Sequence, residues 1–164
     1  MVIDFHDLYQ TYAQDIYRFA YWLCGDAQEA DDITSETFVR ALTSADEIRT
    51  ETVKGYLLTI ARNLAFKHHH RRQRLTELSP HMSAPDNGPE QATETRLDLQ
   101  ATLNFLQTLP EVDRAALLMH SQEDLPYTEI AAALGISVAA ARVKVHRARL
   151  KLNEYRLRTE EVTL

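Results

Sequence analysis

The sequence predicts an all-α protein of two small helical domains joined by a flexible linker. Apolar residues recur at spacings of three and four over most of the 164 residues, which is the period of an amphipathic helix. Glycine and proline are scarce, with four and five residues, and three of the five prolines fall in one unpatterned stretch, 77–95. We therefore divide the chain into a first domain at 1–76, a linker at 77–95, a second domain at 96–158 and a frayed tail at 159–164.

Three helices are expected in the first domain. The first covers 3–24, where an apolar stripe ends at Gly25, a residue suited to a left-handed helix end. The second follows Asp26 and Glu29, whose spacing is that of a capping box, and continues to Ala41. After a polar loop at 43–52, the third helix begins near Thr52 and continues into a basic stretch at 62–74.

The second domain is expected to contain four helices, near 96–108, 112–121, 127–134 and 137–158. Gly135 suits the tight turn between the last two helices, and Ser137 can cap the final helix. One apolar stripe of that helix is expected to be buried: Val138, Ala141, Val145, Ala148 and Leu152. Such a pair is either a helix-turn-helix, whose second helix enters a DNA major groove, or an ordinary helical hairpin.

The distribution of charge favours the DNA-binding interpretation. Residues 137–158 carry seven bases against the single acid Glu154, whereas a merely solvated face mixes signs. Although the net charge is −6, residues 62–74 hold five bases and no acid, and residues 1–48 hold ten acids and two bases. The basic stretches indicate nucleic acid as a partner, and the acidic front indicates a basic protein surface.

The basic stretch of the third helix carries an outward aromatic residue. Phe66 is expected beside Arg62, Asn63, Lys67 and Arg71. A ring among cations is typical of sites that hold unpaired bases, because any base can stack on the ring while the cations follow the backbone. The alternative is that Phe66 belongs to the core at the edge of the helix bundle.

The sequence contains no recognisable catalytic or metal-binding pattern. His68, His69 and His70 point in different directions on a helix, and no ligand type lies four residues away within the run. The single cysteine, Cys24, allows no internal disulfide and is expected to be a small buried residue. We therefore expect no enzyme activity, metal or cofactor. Without a long apolar run or a signal peptide, we expect no membrane insertion and a cytoplasmic location.

Four stretches resemble the sigma-70 family of RNA polymerase sigma factors, in its extracytoplasmic-function group. They are DAQEADDITSETFVRAL at 26–42, YLLTIARNLAFKHHHRRQR at 56–74, LPEVDRAALLMH at 109–120, and YTEIAAALGIS with HRARLKL within 127–152. The resemblance covers nearly all of the chain except the linker and the tail. It implies a protein that binds core RNA polymerase, reads the −10 and −35 promoter elements and performs no bond chemistry itself. It also implies an anti-sigma factor that holds both domains.

The resemblance implies a role for three surfaces. The second helix binds the clamp helices of the polymerase β′ subunit through Asp31, Asp32, Ser35, Glu36 and Arg40. The loop and the third helix capture and open the −10 element through Arg49, Arg62, Asn63, Phe66, Lys67 and Arg71. The final helix reads the −35 element through Ser137, Ala139, Ala140, Arg142, Val143, Lys144 and Arg147. The second domain also lies near the polymerase β flap.

The final helix departs from the family pattern at two places. Residues 139–141 are all alanine where many members have Gly-Thr-Val, and Val143 replaces a frequent serine. Outward alanine and valine side chains form no hydrogen bonds, so we expect them to contact thymine methyl groups. Arg142 and Lys144 are then expected at phosphates or guanine.

Two other interpretations remain open from the sequence. A two-domain helix-turn-helix regulator would use its first domain for dimerisation or ligand binding, and it would bind duplex DNA tightly without polymerase. A sigma factor, in contrast, holds its two DNA-reading domains on a flexible linker and is expected to bind free DNA weakly. A metal or redox sensor would use residues 68–70 and Cys24 and would bind metal measurably.

Overall fold

The computed structural model describes residues 4–43, 52–78 and 94–162, and these ranges contain seven α-helices and no strand. The helices are α1 (Phe5–Cys24), α2 (Ala27–Thr43), α3 (Val53–Leu78), α4 (Glu94–Thr108), α5 (Glu111–Ser121), α6 (Tyr127–Leu134) and α7 (Val138–Val162). The all-α prediction is confirmed. Arg49 and most of the predicted linker lie outside the described residues.

The helix ends follow the predicted capping chemistry. Gly25 and Gly135 adopt φ values of 76° and 66°, the left-handed conformation that glycine reaches without a Cβ penalty. The carboxylate of Asp26 accepts a 2.9 Å hydrogen bond from the Glu29 amide at the start of α2. The hydroxyl of Ser137 accepts a 3.0 Å hydrogen bond from the Ala140 amide at the start of α7. Both turns are therefore fixed by local chemistry.

Each half of the chain buries an apolar core. In α1–α3, large fully buried side chains interlock from all three helices: Ile16, Phe19, Leu23, Ile33, Phe38, Leu57, Leu58 and Leu64. In α5–α7, Met119 and Ile130 pack with the predicted stripe of α7, of which Ala141, Val145 and Ala148 are almost fully buried. The outer members of that stripe, Val138 and Leu152, are partly buried. The stripe fixes the rotation of α7 and so determines which face remains outward.

The two halves also pack against each other, with α1 and α3 against α4–α6. Glu123, which follows α5 and whose side chain is 0% exposed, lies at this contact. Its carboxylate accepts hydrogen bonds of 3.1–3.2 Å from Arg18 of α1, and its Oε2 lies 3.0 Å from Nζ of Lys54 of α3. The sequence patterns gave no indication of this contact, because Glu123 lies 105 residues from Arg18.

A second polar contact between the halves centres on Arg114 of α5. Its buried guanidinium donates to the Leu23 carbonyl at the end of α1 at 2.9 Å. It also donates to the carbonyls of Leu106, Gln107 and Leu109, at 2.7, 3.3 and 2.9 Å, and so caps the end of α4. A buried cation needs such partners, and here they come from both halves.

Candidate nucleic-acid and protein interfaces

The outward face of α2 is largely acidic, as predicted. Asp31, Asp32, Ser35 and Arg40 are exposed, and the half-exposed Glu36 accepts a 3.2 Å hydrogen bond from Arg40. Two apolar side chains that were not predicted share the exposed surface of this helix, Val39 at 57% exposure and Leu42 at 52%. The sequence could have indicated their exposure, because both residues fall outside the inward stripe of α2. The surface therefore combines charge with apolar contact area, a combination suited to a protein partner.

The predicted aromatic site on α3 is only partly outward. Phe66 is half-buried against the core, and the guanidinium carbon of Arg62 lies 4.3 Å from the centre of its ring. Arg62 also donates a 2.9 Å hydrogen bond to the side chain of the exposed Asn63. Lys67 and Arg71 are exposed. The structure thus brings the five described α3 residues to one stretch, but Phe66 is less accessible than the base-stacking interpretation requires.

Helix α5 lies over part of this α3 surface. The Glu111 carboxylate is 3.2 Å from Nε2 of His69 and 3.8 Å from Nε2 of His70, so it forms ion pairs with those rings when they are protonated. Burial lowers the pKa of Arg62 below its ordinary value, although the charge of Glu111 acts in the opposite direction. The Arg62 Nε is buried without a hydrogen-bond partner among the described residues. Arg62 is therefore half-buried in this arrangement, and its Nε lacks a hydrogen bond.

A cavity of about 600 Å³ lies between the two halves. Its lining includes side chains of both signs and the only cysteine: Cys24, Glu29, Phe66, His69, Arg72, Gln107, Glu111 and Arg114. Burial raises the pKa of the Cys24 thiol to about 12, so the thiol stays protonated near neutral pH. Since the thiolate is the reactive form, this environment does not favour a redox sensor.

The three adjacent histidines face different carboxylates. His68 lies 3.6 Å from Glu36 and 3.9 Å from Glu29, whereas His69 and His70 face Glu111. Across the described ranges, no group of three or more His, Cys, Asp or Glu side chains is arranged to hold a metal ion. None of the helices in these ranges combines the length and apolarity that a membrane crossing requires.

The outward face of α7 contains the predicted mixture of small and basic side chains. Ser137, Ala139, Arg142, Val143 and Arg147 are exposed, with Val143 at 45%. Ala140 and Lys144 are half-buried. Small side chains at the start of the helix permit close approach of a duplex, and the bases can meet phosphates or guanine.

Two residues behind this face were not identified from the sequence. The Asp113 carboxylate of α5 lies 3.1 Å from Nζ of Lys144. The ring of Tyr127, the first residue of α6, lies 5.5 Å from the guanidinium carbon of Arg142. Sequence periodicity could not find these partners because each belongs to a different helix.

Comparison with known proteins assigns both halves of the chain. The sequence model of Sigma-70 region 2 matches residues 8–75, and that of Sigma-70, region 4 matches residues 99–152. The extracytoplasmic-function (ECF) RNA polymerase sigma factor EcfG of Rhodopseudomonas palustris is 31% identical over 125 residues, which cover 76% of this chain and 69% of that protein. This chain belongs to the ECF sigma factors of the sigma-70 family.

Other members of the family extend the comparison. The ECF sigma factor SigE of Mycolicibacterium smegmatis is 37% identical over 144 residues, 83% of this chain, although the chain spans only 55% of that protein's length. Among solved structures, the Bartonella quintana sigma factor RpoE, in complex with the anti-sigma factor NepR, has a TM-score of 0.77 and 25% identity. The match covers 94% of this chain and 97% of that one, so it includes both helical regions.

The region 2 match bears on the regulator interpretation that the sequence left open. It covers α1 to α3, where a helix-turn-helix regulator would need a dimerisation or ligand-binding module. The regulator interpretation is therefore not favoured. Hereafter α1–α3 are called region 2 and α4–α7 region 4.

Proposed function

We propose that this protein is an alternative sigma factor that binds core RNA polymerase and directs promoter-specific initiation of transcription. The observation that carries the proposal is that sigma regions 2 and 4 match the two halves of the chain in order, with each half presenting a basic helix surface. The protein would supply binding free energy that makes strand separation favourable, and polymerase would perform the chemistry. No cofactor is required for such a role.

The α2 surface is the proposed contact with the β′ clamp helices. Its carboxylates would face a basic protein surface, because complementary charge steers association and fixes orientation. The exposed Val39 and Leu42 would supply apolar area that a purely charged face lacks. The proposed residues are Asp31, Asp32, Ser35, Glu36 and Arg40. Region 4 would contact the β flap as a second attachment to core.

The α3 surface is the proposed site for the −10 element. Lys67 and Arg71 are exposed and would follow the phosphate backbone, while Phe66 would stack against an unpaired base. The remaining residues proposed for this site are Arg49, Arg62 and Asn63. Because Arg62 and Phe66 are half-buried and Glu111 of α5 faces the neighbouring His69, capture of the −10 strand would require regions 2 and 4 to separate.

The α7 surface is the proposed reader of the −35 element. Ala139, Ala140 and Val143 would contact thymine methyl groups, and Ser137 would lie at the groove edge. The cations Arg142, Lys144 and Arg147 would meet phosphates or guanine. This surface needs no domain movement, since its outward side chains already face solvent.

An anti-sigma factor is the proposed inhibitory partner. The Bartonella quintana relative is in complex with an anti-sigma factor, and the likeness of this chain to it extends over both regions. An inhibitor that holds regions 2 and 4 together would keep the α3 surface covered. We place the protein in the cytoplasm, where a membrane-bound inhibitor of this kind could hold it at the membrane.

Run-off transcription tests the proposed function. Bacterial core RNA polymerase would be incubated with a pool of promoter fragments, with and without the protein. We expect transcripts that require the protein, and their start sites would reveal the −10 and −35 elements. An absence of protein-dependent transcripts, together with a stable duplex-DNA complex without polymerase, would contradict the proposal.

A charge-reversal variant and its control test the α2 surface through their affinity for core polymerase, measured by titrating core with each protein. Asp31→Lys with Asp32→Lys should weaken binding to core polymerase about tenfold or more, because like charges across an interface repel. Asp7→Lys changes an exposed acid of α1 outside the proposed contact and is the control. Equal affinity of both variants for core would remove α2 from the proposed interface.

A further inference from the structure

Three side chains from three helices of region 4 form one stacked group. The rings of His120, in α5, and Tyr127, at the start of α6, lie 4.7 Å apart at an interplanar angle of 12°. The guanidinium carbon of Arg142, in α7, lies 5.5 Å from the centre of the Tyr127 ring. That distance permits a cation–π interaction. Tyr127 therefore contacts both the helix before it and a cation of the proposed recognition helix.

The partners of Arg142 and Lys144 differ in charge. Lys144 is 3.1 Å from the Asp113 carboxylate, so a DNA phosphate has to compete with an acid already in place. Arg142 is held instead by an aromatic ring, which carries no net charge. The ring can restrict the guanidinium without neutralising it, because cation–π attraction arises from the ring quadrupole. Arg142 thus keeps its full charge for another partner.

We propose that Tyr127 is a positioning residue that holds the Arg142 guanidinium ready for duplex DNA. The inference rests on the DNA-reading role of α7 in the proposed function. An exposed arginine loses rotamer freedom when it binds, and restraint before binding lowers that entropic cost. Tyr127 itself acts through Arg142 and need not touch DNA.

His120 supports the ring from α5. Its Nδ1 atom is buried and has no hydrogen-bond partner among the described residues. Its observed contact with Tyr127 is through the face of the ring. Near-parallel stacking restricts the tilt of Tyr127, whose side chain is otherwise only partly buried. Rigid support behind a contacting side chain is what keeps a binding group in productive geometry.

A double-mutant cycle on the full chain tests this role. The probe is a random-sequence 25-base-pair duplex. Because binding of free DNA is expected to be weak, fluorescence anisotropy is measured at high protein concentration over a series of low salt concentrations. Tyr127→Leu should weaken binding about two- to fivefold, the range of an exposed cation–π contact, whereas Tyr127→Phe should bind like the original protein because it keeps the ring. In the Arg142→Ala background, Tyr127→Leu should have no further effect.

The salt dependence of binding shows whether Arg142 meets a phosphate. Arg142→Ala should reduce the slope of log affinity against log salt by about one if Arg142 meets a phosphate. Circular dichroism would verify that each variant folds, and Tyr127→Met replaces Tyr127→Leu if the latter does not. The slope is expected to be unchanged by Tyr127→Phe.

Three results would overturn the inference. Equal weakening by Tyr127→Leu with and without Arg142 would mean that Tyr127 supports only the fold. Unchanged binding in Tyr127→Leu would mean that the ring does not matter. Equal affinity of the original protein and Arg142→Ala for the duplex at the lowest salt concentration would mean that Arg142 does not meet DNA. Run-off transcription would still test the proposed sigma function independently of these results.

Discussion

The two basic helices of this protein differ in how much of their proposed binding surface faces solvent. In α7 the outward cations face solvent, whereas in α3 Arg62 and Phe66 are half-buried and His69 and His70 face a carboxylate of α5. Both helices carry a basic stretch that looks equivalent in the sequence. The difference teaches that a charge pattern can predict a nucleic-acid-binding helix, but tertiary packing decides which of its side chains are available.

The two surfaces also differ in the contacts that hold them in place. The α7 face is set by its own buried stripe and by neighbours within region 4. The α3 face is covered through contacts between regions, chiefly the buried Glu123 with Arg18 and Lys54, and Arg114 with the Leu23 carbonyl. Variants of these contacts should uncover α3 and leave α7 unchanged.

The largest effect is expected for Arg114→Ala. Loss of the guanidinium would leave carbonyls of both regions without their buried donor, at a cost of about 1–3 kcal/mol for each unsatisfied group. We therefore expect the free energy of unfolding to fall by about 3 kcal/mol or more, measured by urea denaturation. Arg149→Ala removes an exposed arginine of α7 and is the control. Equal urea midpoints for the two variants would contradict this expectation.

A smaller and more selective effect is expected for Glu123→Gln, which removes the charge that joins Arg18 and Lys54 to region 4, although Asp15 of α1 remains within 3.6 Å of both cations. The native Cys24 reports the result, because its thiol lines the cavity between the regions and burial raises its pKa to about 12. When the regions separate, the thiol pKa should fall towards its ordinary value and more of the reactive thiolate should form. We expect maleimide labelling at pH 8 to be about tenfold faster. This corresponds to a decrease of about 1.4 kcal/mol in the free energy needed to separate the two regions.

The control for this experiment is Glu154→Gln, which changes an exposed acid of α7. Its labelling rate should equal that of the original protein. If Glu123→Gln also labels at the original rate, Glu123 does not hold the regions together. Circular dichroism of both variants would exclude general unfolding as the source of faster labelling.

The smallest effect is expected on the α7 side, for Val143→Ser. Val143 is 45% exposed, so the substitution should leave the fold unchanged and replace methyl contacts with a hydroxyl. We expect the base preference to change at a single −35 position, by about fivefold, because one side chain reads one base edge. Selection of −35 sequences in the run-off assay would measure it. Unchanged preference at every −35 position would contradict the assignment of Val143 to base contact.

Local chemistry made most of the architecture predictable. Gly25 and Gly135 ended their helices where a left-handed residue was expected, and Asp26 and Ser137 capped the helices that follow. The buried stripe of α7 was also predicted correctly at Ala141, Val145 and Ala148. These features were readable because each depends on residues within a few positions of one another.

The proposed binding surfaces were predictable only in part. The exposed acids of α2 and the cations of α7 follow from helical periodicity, which places them opposite a buried stripe. Phe66 was predicted as either an outward base-stacking ring or a core residue, and its half-buried state agrees fully with neither. Phe66 packs against the core and lines a cavity shared with Glu111 and Arg114 of α5, a helix that begins more than forty residues later.

The sequence alone determined an all-α chain, its helix ends and the family to which it belongs, because these depend on local periods and on motifs in fixed order. Only the tertiary structure decided which partner each functional side chain has. Tyr127 meets Arg142, Asp113 meets Lys144, and Glu123 of region 4 meets Arg18 and Lys54 of region 2. These pairings arise when helices distant in sequence pack together, and no period within one helix encodes them.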